Sequence, residues 1–340
     1  MRVLKGLLWK EWKQHNRGIL LIFIIISLEP ILIPITYWIY RTSERAEAWS
    51  DGIKAILTPG SSNTEILAMI AVVLLASVLL VGERDSSLNY LVTTPVSRRE
   101  IISAKFIYGS LVLITIMLII SLFILIARIL FPAEYSAQEV IQWTIITTLA
   151  LLCMFSLALM VASFSRGVLS SALFTTVIMG LPWILVSFMM QVFSQFKPVS
   201  AALEIKARYL VTYLFIPDYI SRDGRYIWSS NSNLVIDRVI PDYPLEITIL
   251  LLASFLFWRL AIKIFEKNPL ERQGELLLFG SFKQNALIFI SCISAMGWAR
   301  QVASSLLSFF AFFLIMWLGI YLAMLALAWI ITWFVQFKKY

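Results

Sequence analysis

Long uninterrupted apolar runs are the feature that most constrains what this chain can fold into. Each run has about the 20 residues that a helix needs to cross the hydrocarbon core of a bilayer. The six clearest cover residues 18–40, 65–82, 106–130, 141–164, 168–194 and 246–264. The runs are continuous and do not alternate with period two, which excludes the strands of a membrane barrel. The sequence therefore predicts an all-α, polytopic membrane helix bundle with six core spans.

The C-terminal tail adds further apolar chain. Residues 285–298 are apolar, Arg300 interrupts them, and 302–336 then continue for longer than one upright span requires. Two helices packed as a hairpin would use this length, so we favour eight spans, with six spans and a partly re-entrant tail as the alternative. A single transmembrane domain is expected over 1–340, divided into 1–17, the six-span core 18–264, and the loop and final spans 265–340.

The composition excludes a soluble fold. Apolar residues make up 60% of the 340-residue chain and charged residues 14%, whereas soluble domains have about 45–50% and about 25%. A soluble protein of this size could not bury so much apolar surface. The two cysteines, Cys153 and Cys292, both lie in apolar runs, which indicates small buried hydrophobes and excludes a disulfide scaffold.

The distribution of Lys and Arg predicts the orientation. With a cytoplasmic N-terminus, the inner segments hold 17 of the 28 basic residues but only seven of the 20 acidic ones. Short cytoplasmic loops carry such an excess in membrane proteins. We therefore expect both termini in the cytoplasm. The net charge of +8 is then a topology signal, since a nucleic-acid surface would need the basic residues on one folded face.

Residues 2–17 are predicted to form an interfacial helix. Their apolar residues recur at helical spacing, and basic residues occupy the remaining positions. This pattern is typical of a helix that lies at headgroup depth with its lysines toward anionic lipid. We expect an ordered elbow helix leading into span one; a basic flank that only fixes orientation is the alternative.

The segment between spans two and three is the strongest candidate site. Three consecutive charges follow the exit of span two: Glu83, Arg84 and Asp85. Leu88 and Leu91 then lie on one side of a short helix-like stretch. Such an element, tied to two membrane helices on the cytoplasmic face, can transmit force from a docked partner into the membrane.

The same segment contains signals for where its helices end and begin. Pro95 ends the short helix, because the residue before a proline avoids helical conformation. Ser97 can cap the next helix, and Glu100 stands three residues later, as in a capping box. Nearby basic residues complete the candidate set on this face: Arg98, Arg99 and, after span four, Arg166.

These motifs resemble those of ABC-2 type permeases, the membrane subunits of one class of ATP-binding-cassette exporters. The resemblance rests on the glutamate after span two, the Leu-rich helix, Pro95-Val96-Ser97-Arg98, and Lys105 opening span three. The opening Leu8-Trp9-Lys10-Glu11-Trp12-Lys13 and the longer outer loop between spans five and six are also similar. About residues 1–264 are covered, with one departure: Ser86-Ser87 stands where the family commonly has Gly-Thr.

A narrower resemblance concerns residues 265–279, after span six. This charged segment is similar to the corresponding loop of the YtrC-like permeases, a subgroup from Gram-positive bacteria. A tail beyond span six also fits that subgroup. A charged loop that anchors span six is the alternative interpretation.

The resemblance implies a non-catalytic transport subunit in the bacterial plasma membrane. Such a chain forms the translocation path with a second permease, identical or related, and couples to separate ATPase subunits that bind ATP and Mg²⁺. The candidate residues between Glu83 and Arg99, with Arg166, would then contact the ATPase. None of the 13 glycines precedes a lysine, so the chain has no phosphate-binding loop of its own and is expected to bind no cofactor. With His15 as the one histidine, no metal site is expected either.

Glu29 is the candidate residue within the bilayer. It lies about midway along span one and is followed by Pro30 and Pro34, which free backbone carbonyls that could pair with it. Ionisable residues at such depth are functional candidates by default. A substrate-pathway carboxyl, a proton site and a structural pairing with another helix are all open.

Two other function classes stand beside the exporter permease. A membrane enzyme acting on lipid-linked substrates would need paired carboxylates or an Asp-rich loop, and Asp218 and Asp223 are sparse for that role. An ion-coupled secondary transporter built around Glu29 would be supported by inverted repeats, and the sequence contains no convincing ones.

Overall fold

The computed structural model describes a helical bundle and a short β-ribbon. The described residues are 2–40, 62–80, 96–130, 135–165, 168–196, 210–211, 213–220, 226–228, 235–238, 243–267 and 313–322, with isolated positions at 53, 57, 206, 291 and 295.

Six long helices form the bundle. In chain order they are α1 (Arg2–Tyr40), α2 (Ser62–Leu80), α3 (Arg98–Leu130), α4 (Ala137–Phe164), α5 (Val168–Phe196) and α6 (Tyr243–Lys267). Each predicted core span falls on one of these helices, which confirms the all-α bundle. Among the described residues, α3, α4 and α6 are long and apolar enough to cross a bilayer. The total of eight spans stays a prediction, because most of the chain beyond 267 lies outside the described residues.

Helix α1 contains both the predicted interfacial helix and span one, and the division between them at residue 17 stays a prediction. The helix runs through 39 residues without interruption. At about 1.5 Å per residue it is nearly twice as long as the hydrocarbon core is thick, about 30 Å. Only Gly18 weakens the helix at the expected boundary, and one glycine costs about 1 kcal/mol. Leu7 and Glu11 are also buried, so the predicted elbow helix is the first part of α1 and packs against the bundle.

Helix α4 lies at the centre of the bundle and contacts α2, α3, α5 and α6. Small residues allow the neighbouring backbones to approach closely, as is usual between membrane helices. Those that are fully buried include Ala150, Ser156, Ala158, Ala162 and Ser163. Between α3 and α4 the Ser121 and Thr144 hydroxyls form a hydrogen bond.

Gly109 marks the closest approach of α3 to α4. A Cβ at this position would lie well inside van der Waals contact with the ring of Phe155. Phe155 is fully buried on α4, so its ring would have to shift within the bundle. Glycine is therefore required at residue 109 by packing rather than by backbone conformation.

The end of α3 is joined to the residues before α4 by hydrogen bonds between groups that are close in sequence. Arg128 Nε donates to the carbonyl of Tyr135 at 3.0 Å, and the Tyr135 hydroxyl donates to the carbonyl of Ile124 at 3.1 Å. Ser136 and Glu139 then form a capping box at the start of α4. We call this side of the bundle the far end.

A β-ribbon, which the sequence did not predict, lies between α5 and α6. Strand β1 (Tyr226–Trp228) pairs with β2 (Val235–Arg238) in antiparallel register, with Tyr226 opposite Arg238. A single-turn 3₁₀ helix, Ile216–Tyr219, precedes the ribbon. Both elements belong to the connection that the sequence places outside the six core spans.

Candidate functional site

One end of the bundle contains the starts of α1 and α3 and the ends of α2 and α6. Direct contacts join α1 to α3 and α3 to α6 at this end, and His15 of α1 lines a cavity together with Val78 and Leu79 of α2. Except for Arg128 at the far end, the basic residues of these helices occur here, so we call this side the basic end. They are Arg2, Lys5, Lys10, Lys13, Arg17, Arg98, Arg99, Lys105, Arg259, Lys263 and Lys267.

A buried ion pair joins α1 to α3. Lys105 Nζ donates to Glu11 Oε1 at 2.9 Å, and the side chains are 0% and 2% exposed. His15 Nε2 lies 3.5 Å from the second carboxylate oxygen, and Lys10 Nζ lies 3.9 Å from the first. A buried charge is tolerated when it is paired. The pair therefore fixes the position of α1 relative to α3.

Helical spacing places these side chains on facing surfaces. On α1, Leu7, Glu11 and His15 recur every four residues and so share one face. On α3, Ile101 and Lys105 are also four residues apart, and both are buried. Glu11 is the one acidic residue among residues 2–17. Glu11, the carboxylate of α1 at this end, therefore pairs with Lys105, the lysine that opens span three.

A second long-range contact joins α3 to α6. Arg98 Nη1 donates to the backbone carbonyl of Glu266 at 3.2 Å. Glu266 lies in the last turn of α6, where carbonyl groups lack partners within the helix and cations are favoured by the helix dipole. Phe265, next to it, is buried. The start of α3 is thus held by α1 on one side and by α6 on the other.

The start of α3 is also rigidly capped. The Glu100 backbone N–H donates to Ser97 Oγ at 3.2 Å, and the Ser97 backbone N–H donates to Glu100 Oε2 at 2.9 Å. This confirms the predicted capping box. Glu100 is exposed and precedes the apolar part of α3; the backbone hydrogen bond and then the Ser97 hydroxyl hold its pKa below the usual value. The carboxylate therefore stabilises the first turn in its charged form.

An aromatic stack supports the junction next to Lys105. The ring of Phe106 on α3 lies 5.4 Å from that of Trp258 on α6 and 6.1 Å from that of Phe155 on α4. Such ring pairs add packing energy beyond the area that they bury. Helix α3 is therefore joined to α1 and α6 by polar contacts at the basic end, and to α6 and α4 by aromatic contacts.

Two of the predicted coupling residues lie within the described structure. Arg98 forms the contact with α6, and Arg99 beside it is exposed. The remaining coupling residues lie outside the described residues: Glu83, Arg84, Asp85, Leu88, Leu91, Pro95 and Arg166. Glu29 lies on α1, but its side chain is not among those described. Their roles stay predictions.

Sequence reasoning missed the partner of Lys105. It singled out Lys105 as part of a motif and residues 8–13 as another, without connecting them. The available signal was that Glu11 is an isolated acid in a basic helix, and that Lys105 is a cation inside an otherwise apolar stretch. Trp258 was also missed, because nothing in its local sequence distinguishes it from other aromatic residues in α6.

Comparison with known proteins identifies the family of the chain. No curated protein matches the chain. The sequence model of a family described as "ABC-2 family transporter protein" matches residues 7–195, more than half of the 340 residues. The match includes Glu11, Lys105 and the segment between α2 and α3, but ends before residues 265–279, so the YtrC-like resemblance stays a prediction. The chain belongs to the ABC-2 transporter family and is a multi-pass membrane permease of an ABC transporter.

Proposed function

We propose that this permease works in an ATP-driven exporter, as one of two permease subunits that couple to two separate ATPase subunits. In this proposal the basic end faces the cytoplasm of a bacterium, with both termini on that side. The ATPase subunits bind ATP and Mg²⁺, and the paired permeases enclose the path. Membership in the ABC-2 family supports an ATPase partner.

The observation that carries the proposal is the junction at the start of α3. Residues 83–95 precede this helix directly and contain the charges predicted to contact the ATPase. When the ATPase pair closes on ATP, a displacement of this segment acts on Ser97 and Arg98. The capping box at Ser97 favours movement of the first turn of α3 as a unit.

The junction spreads this displacement over three helices. Lys105 pulls on Glu11 and therefore on α1, and Arg98 pulls on the last turn of α6. Removing one partner of a buried ion pair costs about 3–5 kcal/mol, so the pair tends to persist during such movements. The start of α1, the start of α3 and the end of α6 would then move together.

The described basic end also has the surface that a soluble partner would need. It consists of helix ends and presents exposed cations, among them Arg99, Lys263 and Lys267. Short segments of this kind are too small to fold as a domain. They can fill a groove on a partner, where charge-assisted hydrogen bonds and a few apolar anchors supply the affinity.

Charge reversal at the predicted contact tests the proposal. The variant carries Glu83→Lys, Arg84→Glu and Asp85→Lys, and the ATPase rate is measured in proteoliposomes containing the complex. We expect loss of the increase in ATPase rate that the permease gives over the ATPase alone, with expression preserved. The matched control reverses an acid-base-acid set in the predicted outer loop, Glu44→Lys, Arg45→Glu and Glu47→Lys, and should retain the increase. An unchanged rate in a folded Glu83–Asp85 variant contradicts the assignment.

A further inference from the structure

A cavity between α1 and α2 lies beside the junction at the basic end. Its volume is about 180 Å³, and it is partly open to the outside. Apart from His15 at one edge, its lining is apolar and consists of Gly18, Ile19, Leu21, Ile22, Leu74, Leu75, Val78 and Leu79. Leu21 and Val78 are 53% and 39% exposed, so the cavity opens between them onto the surface of the bundle.

The shape of the cavity depends on the absence of a side chain at residue 18. Among the described residues, no atom lies within 4 Å of the position that a Cβ on Gly18 would occupy. Close packing therefore does not require this glycine, in contrast to Gly109. Its effect is to leave space on the face of α1 that looks toward α2.

The chemistry of the lining favours an apolar occupant. Cavities lined by aliphatic side chains stay dry, and one of about 150 Å³ accepts a molecule of the size of benzene. A cavity of this volume in a membrane protein therefore suits a segment of a hydrocarbon chain. Its open side would face the acyl chains of the bilayer.

A line of residues along α1 indicates which lipid this is. Trp9, Lys13, Arg17 and Leu21 recur every four residues and so follow one face of the helix. Trp9 is 65% exposed, and the Lys13 ammonium lies 5.5 Å from its ring centre. Exposed tryptophans mark headgroup depth in membrane proteins. Two exposed cations thus lie between headgroup depth and Leu21 at the rim of the cavity.

We propose that this cavity binds one acyl chain of an anionic phospholipid, with the lipid phosphate held by Lys13 and Arg17. The distance fits, because Arg17 precedes Leu21 by four residues, about 6 Å along the helix axis. The lipid comes from the leaflet at the basic end. This inference does not depend on the direction of transport or on the ATPase.

Lipid binding to the purified complex, counted by native mass spectrometry, tests the site. Delipidated complex is titrated with phosphatidylglycerol or with phosphatidylcholine of the same acyl chains. We expect wild type to retain one phosphatidylglycerol per permease that Gly18→Phe loses, with affinity lowered about tenfold or more, since each displaced methylene weakens apolar binding several-fold. Gly6→Phe, on the same helix and also without neighbours within 4 Å, is the matched control and should bind as wild type does.

A second pair of variants tests the cavity from helix α2. Val78→Phe should also lose the retained lipid, whereas Ile70→Phe, exposed on α2 but outside the lining, should keep it. The headgroup is tested by Lys13→Gln with Arg17→Gln, which should weaken phosphatidylglycerol binding more than phosphatidylcholine binding, because the choline group of the latter already neutralises its phosphate. Lys263→Gln with Lys267→Gln removes the same charge from the basic end of α6 and should not change lipid binding.

Three results would overturn the proposal. The first is equal phosphatidylglycerol retention by wild type and by both cavity-filling variants. The second is equal retention of the two phospholipids by wild type, which would remove the role of the cations. The third is a change in subunit stoichiometry on filling the cavity without a change in bound lipid, which would make the cavity a protein contact.

Discussion

The two ends of helix α3 are held in different ways. At the far end its contacts are local: Arg128 bonds to Tyr135, 7 residues later, and Tyr135 bonds to Ile124, 11 residues earlier. At the basic end its partners are distant, with Glu11 94 residues before Lys105 and Glu266 168 residues after Arg98. The far end is therefore tied to the start of the next helix, whereas the basic end is a junction of three chain segments. Through the described contacts, a force on the basic end reaches α1 and α6, and a force on the far end reaches α4.

The largest expected effect comes from breaking the ion pair at the junction. Lys105→Met or Glu11→Leu alone should lower the free energy of unfolding by about 3–5 kcal/mol, because each removes one member of a buried ion pair. Combining the two substitutions should restore most of this loss. The check is the thermal stability of all three variants in one detergent. Additive losses in the double variant would mean that the two side chains do not act as a pair.

A smaller effect is expected at the far end. Tyr135→Phe removes the hydrogen bond to the carbonyl of Ile124 and should lower stability by about 1–3 kcal/mol, the usual cost of losing a buried partner. Because this contact is local, the increase in ATPase rate that the permease gives should not change. Thermal stability and ATPase rate of the same preparation provide the check. Loss of the increase in a stable Tyr135→Phe protein would contradict the difference between the two ends.

The smallest effect uses the two capping boxes as a matched pair. Ser97→Ala at the basic end and Ser136→Ala at the far end should each cost about 1 kcal/mol, since both remove the same cap. Only Ser97→Ala is expected to reduce the increase in ATPase rate, because Ser97 lies between the predicted ATPase contact and the junction. Equal ATPase rates for the two variants would mean that the cap at Ser97 has no role in coupling.

Local features of the site could be predicted from the sequence, and long-range ones could not. The capping box at Ser97 and Glu100 follows from residue types three positions apart, so its geometry needs no knowledge of the fold. The pairing of Glu11 with Lys105 depends on how α1 packs against α3. Hydropathy identifies both helices as apolar, but it does not say which faces meet.

The sequence pattern also could not predict where each helix lies within the bundle. Helices α4 and α6 both have the length and apolar composition of a span, yet 72% of the most apolar stretch of α4 is buried against 17% for α6. In a membrane an apolar side chain is equally suited to lipid and to protein. The small residues of α4 were the available signal.

The measurement that tests the account most directly is the composition and activity of the complex purified from native membranes. The tagged permease is extracted in a mild detergent, and its mass and subunit stoichiometry are determined before and after reconstitution. The account predicts two permease subunits with two ATPase subunits, and no ATP hydrolysis by the permease alone. A monodisperse single copy of this chain that transports without any ATPase subunit would contradict it.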